Sequence, residues 1–113
     1  MDKENLALQT SKTIEDLKIS ENKCIDLLKD IRILEEKNTE IELDILKEIS
    51  NDTTLTNQLK RDITKAQYLK NDLHYLNNKE NIQSKTYELE KEQVNSNYLK
   101  RIIRLNTAYL QNV

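Results

Sequence analysis

From Leu17 to Leu76 apolar residues return every three or four positions in one heptad register. Position a falls on Leu17, Cys24, Ile31, Asn38, Ile45, Asp52, Leu59, Ala66 and Leu73. Position d falls on Leu27, Leu34, Ile41, Glu48, Leu55, Asp62, Leu69 and Leu76. This spacing keeps a narrow stripe turned towards a neighbouring helix. The expected fold is all-α: a long antiparallel helical hairpin or coiled coil, with a possible third, C-terminal helix. Its interaction seam is Leu17, Leu27, Ile31, Leu34, Ile41, Ile45, Leu55, Leu59, Leu69, Leu73 and Leu76. Ile14, Leu28 and Ile49, at e positions, widen the stripe enough for more than one neighbour.

Breaks in the pattern set the expected boundaries. Ser50, Asn51, Asp52, Thr53 and Thr54 all compete for backbone hydrogen bonds, which ends a first helix at 1–50 and places a turn at 51–54. A second seam helix follows at 55–77. The polar run Asn77, Asn78, Lys79, Glu80, Asn81 suggests a hinge at 78–84, and residues 85–113 form the last helix. Thr10, Ser11 and Thr13 are candidate caps near the start. The last helix carries a different stripe, Tyr87, Val94, Tyr98, Ile102, Leu105 and Tyr109, with Leu99, Ile103, Leu110 and Val113 beside it. Its aromatic content suits a docking element, or packing on the N-terminal helix of its own chain or of a twin.

Charge bears on direction. Residues 1–56 carry 14 acidic and 8 basic side chains and residues 57–113 carry 6 and 10, within a net charge of −2. Such asymmetry favours pairing one half against the other, antiparallel. A parallel homodimer would set Asp16 against Glu21, Asp30 against Glu35 and Lys65 against Lys70. Folding back about Thr53 instead sets Asn38 opposite Leu69, and pairs Asp30 with Lys79, Lys37 with Asp72, Asp44 with Lys65 and Glu35 with Lys70. A hairpin and an antiparallel pair of straight chains share these contacts. The expected partners are therefore other helical subunits, in a hetero-oligomer rather than a homodimer.

Composition narrows the chemistry. The 113 residues include no Gly, Pro, Phe or Trp, so tight turns are scarce and nothing provides the bulk of a thick core. The absence of glycine also removes any Gly-rich phosphate loop. Single Cys24 forms no internal disulfide and reads as a small buried hydrophobe. His74, at an outward b position, has no metal ligand at suitable spacing. Glu35 and Glu36 read as a solvated face. Lys100, Arg101 and Arg104, like Lys60, Arg61 and Lys65, could touch phosphates, but acidic neighbours and the net negative charge argue against nucleic acid. Residues 1–10 have no apolar run of signal-peptide type and no stretch approaches a membrane span. The expected setting is intracellular, with no membrane, cofactor or metal, and no residues on which an enzyme could rest.

Leu27, Leu28, Asp30, Ile31 and Arg32, followed by a charged coil, resemble part of the centromere protein H family of kinetochore coiled coils, over about a quarter of the chain. The seam, the flanking charges and the C-terminal stripe are those expected of a non-enzymatic coiled-coil structural or assembly subunit that mediates protein–protein interaction in a larger complex, and the resemblance implies a kinetochore or cytoskeletal one. The alternatives are a self-contained homo-oligomeric scaffold or spacer, and a small helical nucleic-acid-associated protein using the basic C-terminal half.

Overall fold

The computed structural model describes residues 2–112; Met1 and Val113, which the expected boundaries include, lie outside them. Three helices are present, α1 (Lys3–Ser50), α2 (Gln58–Asn71) and α3 (Leu73–Gln111), with no strand among the described residues. The chain is an all-α hairpin of coiled-coil type. It divides into two compact units, one of Met1–Lys29 with Thr86–Val113 and one of Asp30–Lys85.

Helix α1 begins earlier than the candidate caps suggested. The Asp2 carboxylate accepts a hydrogen bond from the Glu4 amide at 3.1 Å and caps the helix. Thr10 and Thr13 instead turn their hydroxyls back onto the Leu6 and Gln9 carbonyls at 2.7 and 2.8 Å. A threonine bonded in this way hides its polarity inside the helix, which allows Thr10 to be buried. Along α1 the buried or half-buried positions run Leu6, Thr10, Thr13, Leu17, Ser20, Cys24, Leu27, Ile31, Leu34, Asn38, Ile41, Ile45, with Glu42 and Ile49 beside them. That is the heptad register of the sequence, extended towards the N-terminus.

After Ser50 the helix ends in a turn closed by Asp52, whose Oδ1 accepts from the Thr54 amide at 2.9 Å and the Thr54 hydroxyl at 2.6 Å. The connection is longer than 51–54, because α2 starts only where Asn57 caps it by accepting from the Lys60 amide at 2.8 Å. Two expectations for the returning arm need correction. The break lies at Asp72 and not at 78–84, which is helical throughout. Asp72 ends α2 in extended backbone (φ −86°, ψ 106°), and its Oδ1 then caps α3 by accepting from the Tyr75 amide at 2.9 Å. The Asn-rich run stays helical because Asn78 is held in the seam by Asn38.

The register also differs from a fold about Thr53. In the second unit Asn38 meets Asn78 and the Tyr75 carbonyl rather than Leu69, and Asp30 pairs with Lys85 at 3.5 Å rather than with Lys79. In the first unit Lys23 pairs with Glu92 at 3.6 Å. These two are the ion pairs among the described residues, so Lys37–Asp72, Asp44–Lys65 and Glu35–Lys70 do not form. The longer turn and the bend at Asp72 use up the residues that a tight fold would have paired. The expected far side of the seam is accordingly displaced. Leu59, Leu73 and Leu76 are exposed and Leu55 and Leu69 half-buried, whereas Leu17, Leu27, Ile31, Leu34, Ile41 and Ile45 on α1 are buried or half-buried. Their opposing face is Tyr75, Asn78, Ile82 and Lys85 in the second unit, and Leu89, Glu92, Ser96, Leu99, Ile103, Asn106 and Leu110 in the first.

Candidate interaction surface

The seam that closes each unit is unusually polar. In the first unit Ser20 and Ser96, both buried, lie with their hydroxyls 2.6 Å apart. Ser20 also lies within hydrogen-bonding reach of the Glu92 carbonyl, and Asn95 donates to Glu92 Oε1 at 3.3 Å. With the Ser20 hydroxyl, then Asn95 and Lys23, stabilising its anion, the Glu92 carboxyl is held below the usual range although burial opposes this. In the second unit the Asn38 amide is satisfied at both ends, donating to the Tyr75 carbonyl at 3.3 Å and accepting from Asn78 Nδ2 at 2.9 Å. The Tyr75 hydroxyl donates to Glu42 Oε1 at 3.2 Å, and burial followed by that carboxylate pushes its phenol up. Every buried side-chain polar atom among the described residues has a partner. A slip of one heptad would set Asn78 against Ile31 or Ile45 and Ser20 against Leu89 or Ile103, so each polar layer disfavours the neighbouring registers.

With the seam occupied in this way, the aromatic stripe of α3 is left on the outside. Tyr87, Val94, Tyr98, Leu105 and Tyr109 are 63%, 69%, 59%, 64% and 49% exposed, and Ile102 is half-buried. Their steps of seven and four residues place them together on one flank of the helix, while the buried set Leu89, Ser96, Leu99 and Ile103 occupies another. Within the first unit α3 packs on α1 through Leu89, Ser96, Leu99 and Ile103, and of the stripe only Ile102 is drawn partly into that contact. Lys91 reaches back over the Tyr87 ring, 5.5 Å from its centroid, and covers only that end.

No protein-family model, curated protein or solved structure matches the chain. The surface has to be read from its own residues.

A second opening lies in the other unit, where α2 has no buried residue. Between the last turns of α1 and the first turns of α2 is a cleft of about 700 Å³, lined by Leu43, Leu46 and Ile49 and by Arg61, Asp62 and Lys65. Cations and anions alternate around it, giving no charge preference. Among the described residues no group of three or more His, Cys, Asp or Glu could hold a metal ion, and no helix is long and apolar enough to cross a membrane. His74 is exposed and Cys24 half-buried.

Sequence reasoning missed Ser20, Ser96, Tyr75, Asn78 and Glu92 because an apolar-only search skips a seam whose slots hold Ser, Asn and Glu. The available signal was the unbroken three-and-four spacing from Tyr75 to Leu110 once polar residues are admitted.

Proposed function

We propose that the chain is a non-enzymatic assembly subunit, in which antiparallel pairing of α3 with α1 leaves the outer stripe of α3 free to meet another helical protein inside the cell. The observation that carries this reading is the exposure of Tyr87, Val94, Tyr98, Leu105 and Tyr109 in a folded unit. Fully buried aromatic side chains contribute about 150–250 Å² each, so the three tyrosines at roughly half exposure leave on the order of 300 Å² of contact surface, a size associated with interaction sites. The resemblance of residues 27–32 to kinetochore coiled coils suggests a cytoskeletal or kinetochore complex as the setting.

The test is site-specific photo-crosslinking in the source cells. A crosslinker at Tyr98 is expected to yield a discrete adduct with another protein, and one at Asp26 on α1 is expected to yield none. No adduct from Tyr98, or the same adducts from both positions, would reject the reading.

A further inference from the structure

We infer that the occupant of the α3 stripe is an acidic amphipathic helix from a different protein; this rests on the assembly reading above. The apolar positions Val94, Tyr98, Leu105 and Tyr109 repeat at seven and four residues, as the positions of a helix–helix seam do. A lipid surface or a nucleic acid would not require so narrow a stripe. Arg101 lies one turn from Tyr98 and Leu105, and Arg104 adjoins Leu105; both are exposed, and neither is in an ion pair. Residues 93–111 contain Lys100, Arg101 and Arg104 and no Asp or Glu. The rim of this part of the stripe therefore carries uncompensated positive charge. In helix–helix seams the flanking positions select the partner by opposite charge.

A second copy of α3 meets this requirement poorly, because it offers no carboxylate anywhere along 93–111. Nor do the first unit's own acids neutralise the two arginines: Glu88, Glu90 and Glu92 precede this stretch, Glu92 is engaged with Lys23 across the seam, and among the described residues Glu15, Asp16 and Glu21 of α1 form no ion pair with Arg101 or Arg104. A helix with leucine-type residues on one face and Glu or Asp beside them would bury the stripe and neutralise both arginines.

The experiment uses the purified full chain and two designed four-heptad peptides with the same leucine seam, one flanked by Glu and the other by Lys. Binding is followed by fluorescence anisotropy at physiological salt. The Glu peptide is expected to bind about tenfold more tightly, the combined effect of a few exposed charge pairs. Arg101→Glu with Arg104→Glu should reverse the order, and Tyr98→Ser with Leu105→Ser should weaken both peptides.

Equal affinity for the two peptides, or indifference to the arginine reversal, would overturn the acidic partner and leave the assembly reading in place. So would a concentration-dependent dimer mass by light scattering that Tyr98→Ser abolishes. Displacement of the Glu peptide by phosphatidylserine vesicles or duplex DNA, with direct binding of either, would overturn it in favour of a membrane or nucleic-acid surface. A folded monomer that binds neither peptide would overturn the assembly reading as well.

Discussion

Asn78 donates its side-chain amide to Asn38 Oδ1 across 2.9 Å, and Asn38 donates in turn to the Tyr75 carbonyl. The hydroxyls of Ser20 and Ser96 make the corresponding layer in the other unit. As many residues separate Asn38 from Ser20 as separate Asn78 from Ser96. In each unit the polar layer marks the antiparallel register, and a slip of a single heptad would set Asn78 and Ser20 against apolar residues of the facing helix.

Truncating Asn38 to Ala should therefore cost about 1 kcal/mol or more, since the Asn78 amide loses its acceptor inside the seam. Asn38→Leu with Asn78→Leu should cost less than the sum of the two single changes, because no donor is then stranded. Urea unfolding of the four proteins measures the coupling, and strict additivity would reject the polar layer as a register device.

The Glu92 carboxyl, held low chiefly by the Ser20 hydroxyl, predicts a dependence on acid pH. A carboxyl with a depressed native pKa stabilises the fold fully above its ordinary value of 4.5 and loses that contribution as pH falls through the lower native value. Thermal unfolding of the natural chain should thus weaken more between neutral and acid pH than that of Glu92→Gln. Ser20→Ala should reduce the difference. Parallel pH profiles for the natural chain and Glu92→Gln would contradict the assignment.

Asn57 caps α2, a helix of 14 residues with no buried side chain. Asn57→Ala should cost about 1 kcal/mol, and its effect should stay local because little packing ties α2 to its surroundings. Amide hydrogen exchange is expected to speed up over 58–71 and to remain unchanged over 89–103. Faster exchange across both segments would show that α2 folds together with the rest.

Burial separates the seam from the outer stripe. Leu27, 6% exposed, packs in the first unit, and Leu27→Ala should destabilise the fold by about 2–3 kcal/mol. Tyr98→Ser, at a position 59% exposed, should change stability by less than about 0.5 kcal/mol. Chemical denaturation distinguishes the two, and a large loss at Tyr98 would mean that the stripe is already covered within the folded chain.

Much of the fold was written in local pattern. Helix α1 follows from the repeat of Leu17, Leu27, Ile31 and Ile45 in a chain without Gly or Pro, because a 3.6-residue period and uninterrupted backbone hydrogen bonds are properties of the segment itself. Its end at Ser50 follows equally from the polar run after it, where the Asp52 side chain accepts from the Thr54 amide. The stripe of α3 was also legible, from Tyr87 to Tyr109, but not whether it faced inward. That was decided by tertiary structure. Asp72 had a choice between continuing one helix and capping two, and Asn38 between Leu69 and Asn78; each choice depends on residues far away along the chain. Exposed charge pairs are worth too little to fix such a register. Two buried polar layers fix it, and in doing so leave Tyr98 and Leu105 on the outside.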